Sequence, residues 1–381
     1  MAFVKPQYSK GKINAAGDIL ITALDAIREA AKLVPEERDL EFQAIFDKQD
    51  EALLVINKWR SCHSFPLQCI KMTLLNRAKK IDQRAIVAQR LKRLSSIRAK
   101  LERAKTERSQ NMDLARMHDI GGCRAIMQNM GYVNRLITDY EESAAKNPNV
   151  RNEFVRKYDY IQEPKSDGYR GVHLVYKYRS PAEDRQEWNG LRIEIQIRSR
   201  LQHAWATAVE SVDTFTKQAL KSNVGNPDWK RFFALMGSVI AIKETRPTVP
   251  GTPGTLAELK PELKALSEQL DVQRVMRGWG TVVQHAISEE QVKAAPEMFL
   301  LVLTVGPEPD TSVLTIRSFS KEQLVEAQRA YGKVEKETAD DPSVQAVLVS
   351  VDSVKALPRA YPNYFLDTEA FLREVQLAVG R

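Results

Sequence analysis

Cysteine is scarce in this chain: Cys62, Cys69 and Cys123 are its three in 381 residues, and no two of them form a CxxC pair. A disulfide framework and a cysteine-built structural zinc site are thereby excluded. Long apolar runs are missing too. No stretch of about 18 uncharged apolar residues occurs, as a membrane-spanning helix needs, and Met1 to Lys12 has no apolar signal-peptide core. With 43% hydrophobic residues and a mean hydropathy of −0.39, the composition is that of a soluble globular chain. Such a chain is expected in the cytoplasm, with no membrane partner, and its length allows about two or three domains.

What charge there is falls unevenly. The formal net charge of +8 divides into +13 over residues 1–254 and −5 over residues 255–381. Between Arg77 and Arg116 stand 13 basic and 4 acidic residues. From charge alone, a solvated helix face and a site for phosphates or nucleic acid are both open readings. The sign changes at Arg246 to Thr255, where three prolines and two glycines fall in ten residues. This composition marks a linker, 246–255, between a body of residues 1–245 and a tail of residues 256–381.

Apolar spacing predicts helices over 14–33, 39–58 and 81–105, with Pro35 acting as a stop between the first two. Ile86, Val87, Leu91, Leu94, Ile97 and Leu101 supply the apolar stripe of the third. Strand character is read at 124–127, 171–176 and 191–197. The last of these alternates, so Arg192, Glu194, Gln196 and Arg198 share one face. Helices are expected at 200–217 and 228–243. In the tail, helices at 256–270, 320–338 (Ser320 as N-cap) and 368–379 accompany strands at 299–305, 312–316 and 346–351, with a turn at 306–310 joining the first two strands. The fold class is α+β, a mixed sheet flanked by helices with a small C-terminal α+β module.

Four segments carry chemistry-bearing residues. In Arg90, Lys92, Arg93, Ser96, Lys100 and Arg103, positions 93, 96, 100 and 103 recur at helical spacing and can present cations and a hydroxyl to a polyphosphate. His118 to Arg124 sets a carboxylate, Asp119, and an arginine about two glycines at a strand entrance; it suits a divalent cation and also reads as a plain surface turn. Tyr160 to His173 is a Gly-containing turn in which Lys165, Tyr169 and His173 suit a base stacked above its phosphates, or a ring that simply packs. Glu194, Gln196 and Arg198 lead on to His203 and Trp205, and a carboxylate on a central strand is costly to bury unless paired or metal-bound.

Together the four resemble the RelA/SpoT alarmone synthetase domain over roughly residues 75–215. Its motifs R-x-K-x-x-x-S-I-x-x-K, D-x-x-x-x-R, K-x-N-G-Y-x-S-x-H and E-I-Q-I-R stand here as Arg90, Lys92, Ser96, Ile97 and Lys100; as Asp119 and Arg124; as Lys165, Gly168, Tyr169 and His173; and as Glu194, Gln196 and Arg198. Two positions depart from the pattern: Asp167 replaces Asn and Gly171 replaces Ser. The resemblance implies transfer of the β,γ-pyrophosphate of ATP to a ribose hydroxyl. It assigns Arg90, Lys92, Ser96, Lys100 and Arg124 to ATP, and Asp119 and Glu194 to catalysis and to Mg²⁺. Lys165, Tyr169, His173, Gln196, Arg198 and His203 fall to the acceptor. The hydrolase activity of long family members needs several further His and Asp residues, and only His63 precedes His118.

The tail continues the comparison. Tyr361 and Tyr364, three apart, read equally as two rings on one side of a turn and as rings that simply pack; they match a Y-x-x-Y motif, and the whole arrangement resembles the CapRel branch of this family, fused toxin–antitoxin proteins of antiphage defence. That likeness implies a metal-free zinc-finger-like tail, in keeping with the absence of cysteine after Cys123. It implies pyrophosphate transfer to the 3′-CCA end of tRNA, inhibition by Tyr361 and Tyr364, and release by a phage major capsid protein. The alternative acceptor is GDP or GTP, in a (p)ppGpp or ppApp synthetase governed by its tail.

Overall fold

The computed structural model describes residues 3–106, 112–146, 152–216, 226–280, 298–306, 312–338, 341, 343–351, 357–361 and 368–380. Helices α1 (Lys10–Ala30), α2 (Pro35–Cys62) and α3 (Ser64–Ile81) precede strand β1 (Ile86–Leu91) and helix α4 (Leu94–Thr106). Strand β2 (Gly121–Met127), helix α5 (Met130–Lys146) and strands β3 (Asn152–Asp159), β4 (Val172–Tyr178) and β5 (Arg192–Ser199) follow, then helices α6 (Arg200–Thr216) and α7 (Pro227–Lys243). The remainder comprises α8 (Leu256–Gln269), α9 (Val272–Gly280), β6 (Met298–Thr304), β7 (Val313–Phe319), α10 (Leu324–Glu337), β8 (Val344–Val351), α11 (Leu357–Ala360) and α12 (Glu369–Val379).

Local signals account for several boundaries. Ser9 caps α1 by accepting from the Lys12 amide at 3.2 Å, and Thr255 and Glu258 form a reciprocal capping box on α8. Pro35 does not stop a helix as expected; it occupies the first turn of α2, where its missing N–H costs nothing. The predicted helix over 81–105 is corrected to a strand, a short turn and a helix. Val87, Ala88 and Leu91 are buried in β1, while Leu94, Ile97 and Leu101 form the buried stripe of α4. The turn expected at 306–310 lies, from 307 onward, outside the described residues.

All eight strands join one sheet in the order β3-β4-β5-β2-β1-β8-β6-β7, mixed because β2 runs parallel to β5 while every other neighbouring pair is antiparallel. The C-terminal strands therefore extend the sheet of the N-terminal ones through β1 and β8, with Ala88 opposite Val351 and Arg90 opposite Val349. Phe232 and Phe233 of α7, Leu259 and Leu263 of α8, and Phe371 and Val375 of α12 share a single apolar core with Tyr361. Burial of these groups from both sides of the linker is worth roughly 1.5–3 kcal/mol for each large side chain. Among the described residues no helix is long and apolar enough to cross a membrane.

Candidate active site

Strands β1, β2, β5 and β4, which are neighbours in the sheet, and the turns that enter them bring the four segments together. In the β2–β5 register Gly122 lies opposite Glu194 and Arg124 opposite Gln196, and in β4–β5 His173 lies opposite Gln196. Period-two alternation then places Arg124, His173, Glu194, Gln196 and Arg198 over one face. Arg90 ends β1 opposite Gly122 instead of riding a helix, and only Ser96, Lys100 and Arg103 of the predicted cationic stripe belong to α4.

Asp119 receives Lys92 Nζ at 2.8 Å and Lys100 Nζ at 2.9 Å, one on each carboxylate oxygen. Burial works against its charge, but the two ammonium groups outweigh it and hold Asp119 well below the usual carboxylate range. Lys92 is lowered by burial in spite of its partner. Glu194 is likewise buried: His173 Nδ1 donates to one oxygen at 2.9 Å and Gln196 Nε2 to the other at 2.7 Å. Against the cost of burial, these partners keep Glu194 at about 2, while Tyr169 and Glu194 raise His173 to about 9. Burial, with Arg90 and Arg198, brings Arg124 down to about 10, where it remains a cation at neutral pH.

The cleft continues outward from these groups. A cavity of about 500 Å³ is lined on one wall by Arg90, Ser96 and Arg103 and on the other by Lys165, Tyr169 and Arg198. A nucleotide and an acceptor group fit such a volume. Gly168, which precedes Tyr169, has φ +93°, and a Cβ there would meet Phe233 O at 2.8 Å. Glycine is required at that position to bring this turn against α7. Lys165 Nζ lies 4.3 Å from the centre of the Tyr160 ring, adding a cation at the mouth. His203 is buried and lines neither this cavity nor the smaller one beside Asp119; burial and the charges of Arg124 and Arg198 keep it neutral.

Tyr361 fills the inner end. Its side chain is 1% exposed, its hydroxyl donates to Gln89 O at 2.8 Å, and the Arg124 guanidinium lies 4.5 Å from its ring centre. Arg124 also donates to Ala360 O. Tyr361 lines the same small cavity as Arg90, Lys92, Asp119, Arg124 and Glu194. Tyr364 lies outside the described residues. Reasoning from sequence missed Gln89 and Glu335: the first contributes only its carbonyl, and the second stands 241 residues from the α4 amide it accepts, Leu94 N at 2.8 Å.

Residues 89–218 match the family model described as "Region found in RelA / SpoT proteins". That matching segment is about a third of the chain and holds every residue of the four motifs. Over 118 residues the chain is 30% identical to GTP pyrophosphokinase YwaC of Bacillus subtilis (strain 168), covering 31% of this chain and 52% of that protein. The chain thus spans about half the length of that curated relative. Among solved structures, small alarmone synthetase 2 from Bacillus subtilis is 20% identical, covering 51% of this chain and 94% of its own, with a TM-score of 0.37. Small alarmone synthetase 1 from the same organism, bound to its product pppGpp, is 22% identical, covering 61% and 97%, with a TM-score of 0.34.

Proposed function

We propose that this protein is an autoinhibited ATP-dependent pyrophosphotransferase of the CapRel type, which acts in the cytoplasm on the 3′-CCA end of tRNA. The observation that carries the inhibited state is the Tyr361 ring stacked against Arg124 and tied to Gln89 O, in the cavity lined by Asp119, Glu194 and Lys92. Tyr361 is covalently attached to what it blocks, so it competes with ATP at high effective concentration. A phage major capsid protein is the proposed activator, and it must hold the open conformation more tightly than the closed one to release the ring.

In the open state Arg90, Lys92, Lys100 and Arg124 neutralise the ATP phosphates, and Ser96 adds a hydrogen bond. Asp119 and Glu194 are hard oxygen donors on one cavity and suit Mg²⁺. Held by these two carboxylates, such an ion would supply neutralisation of charge during phosphoryl transfer. Lys92 and Lys100, which now neutralise Asp119, would turn to the phosphates as that carboxylate is engaged. In this reading Glu194 takes the proton of the attacking hydroxyl, and Tyr169 stacks on the acceptor base with Lys165 and His173 beside it. A second acceptor reading, GDP or GTP, rests on the likeness to a GTP pyrophosphokinase.

Labelling from γ-³²P-ATP tests both parts. Tyr361→Ala should transfer label to deacylated tRNA at least about tenfold faster than the parent protein, since opening a gap of 1.4 kcal/mol corresponds to that factor. Equal rates would remove the autoinhibition reading, and label on GDP or GTP but not on tRNA would replace the acceptor.

A further inference from the structure

A closed ring of hydrogen bonds surrounds the acceptor side of the cleft. Arg198 Nη2 donates to Tyr169 Oη at 2.6 Å and to Gln196 Oε1 at 2.9 Å. Gln196 Nε2 donates to one oxygen of Glu194 at 2.7 Å, and His173 Nδ1, facing a carboxylate that can only accept, donates to the other at 2.9 Å. The ring closes between His173 Nε2 and Tyr169 Oη, which are 2.5 Å apart. Glu194 is 9% exposed and Arg198 7%, so water competes weakly for these bonds. Each Glu194 oxygen is thus held by its own arm, one through Gln196 and one through His173, and both arms start at Arg198.

Tyr169 lines the large cavity together with His173 and Arg198, and its hydroxyl is engaged by those two side chains. Gly171 provides the room. A Cβ at that position would lie 3.2 Å from Arg198 Cγ, tighter than side chains ordinarily pack, and in contact with Tyr169 Oη at 3.4 Å, at a φ of +152°. Serine, the residue the motif has there, would press on the point where Arg198 and Tyr169 meet. The departure from the motif at 171 and the ring of bonds are therefore features of one arrangement.

Resting on the proposed transfer reaction, we propose that the Tyr169 hydroxyl is a positioning group: through His173 it fixes the orientation of the Glu194 carboxylate, while the ring of the same residue receives the acceptor base. Seating the acceptor on Tyr169 then presses on the group that holds the carboxylate facing the acceptor hydroxyl. Arg198 anchors both arms, and loss of the hydroxyl frees one Glu194 oxygen while leaving the stacking surface in place. Misplacement of a reacting group by about 1 Å costs on the order of 100-fold in rate, so the effect belongs in kcat and not in acceptor KM.

The test uses Tyr169→Phe in full-length protein that also carries Tyr361→Ala, with labelled ATP and deacylated tRNA, GDP and GTP as acceptors. For whichever acceptor is labelled, kcat should fall about 10- to 100-fold while acceptor KM stays within about twofold. An unchanged kcat would overturn the proposal, and so would a rise in KM at constant kcat, which means the hydroxyl touches the acceptor itself. Gly171→Ser should reproduce the kcat loss in part. A second readout does not need turnover: in protein labelled with ¹⁵N-histidine, the His173 Nε2 resonance should shift in Tyr169→Phe, and an unmoved resonance refutes the wiring. If Tyr361→Ala protein labels no acceptor, the transfer reading fails, while the resonance still decides whether the hydroxyl holds His173.

Discussion

Replacing Glu335 by alanine should be among the most destabilising single changes in this protein. Its carboxylate ties α10 to two distant parts of the chain, Arg60 of α2 and the Leu94 amide that opens α4 at 2.8 Å, and also accepts from the Tyr331 hydroxyl one turn back at 2.8 Å. The Arg60 side chain is 3% exposed and that of Glu335 9%. Removing one partner of a buried pair leaves a charge uncompensated, at a cost of about 3–5 kcal/mol. Losing the acceptor at the α4 N-terminus adds about 1 kcal/mol. Part is returned, because Arg60 keeps Asn57 Oδ1 at 3.0 Å and the Tyr331 ring at 4.9 Å, the latter worth roughly 1 kcal/mol. The expected loss is about 3–5 kcal/mol, read from the free energy of urea unfolding by linear extrapolation. Arg60→Met with Glu335→Leu removes both charges and should recover more than half of it. A loss under about 1 kcal/mol for Glu335→Ala, or a double variant as weak as the two single effects summed, would refute the reasoning.

Two further outcomes follow from burial. His63 is 1% exposed with Nδ1 2.7 Å from Trp59 O, and burial pushes it from 6.5 down to about 4. The unfolded chain therefore takes up a proton first, and stability is lost as pH falls from 6.5 toward 4; between pH 6.5 and 5 the parent should lose roughly 1.5 kcal/mol more than His63→Gln in urea unfolding. Gly168→Ala should cost about 2 kcal/mol or more, since φ is +93° and the new Cβ meets Phe233 O at 2.8 Å and Trp205 Cζ2 at 2.9 Å; a loss under about 0.5 kcal/mol would show that the turn relaxes.

The motif residues were legible because their chemistry is local and short-ranged. Alternation in 192–198 gave the shared face of Glu194, Gln196 and Arg198 directly, and Asp119 with its glycines marked a strand entrance that β2 confirms. Helices α6, α7, α8 and α12 lie within one or two residues of their expected ends, since caps and periodicity act within a turn. Helix α3 went unread although Leu67, Ile70, Leu74 and Ala78 recur at helical spacing, and α5 although Val133, Leu136, Ile137 and Tyr140 do the same. β3, an edge strand with exposed Phe154, has no clean alternation to find.

Arg90 and Gln89 are the instructive failure. Ile86, Val87 and Leu91 satisfy a helical stripe as well as a strand buried on both faces, and periodicity cannot separate the two. What decides is pairing: β1 lies between β2 and β8, so the backbone groups on both its edges are taken up by neighbouring strands, and β8 comes from more than 250 residues away. The same long-range pairing sets Gln89 O under the Tyr361 hydroxyl and Glu335 on the first amide of α4. By itself, the sequence determined which residue types can hold phosphate, metal and acceptor, and the local elements that carry most of them. Only the tertiary structure decided that the C-terminal segment closes on the cleft, because hydrogen-bond partners and buried charges are satisfied across the sheet by residues with no proximity along the chain.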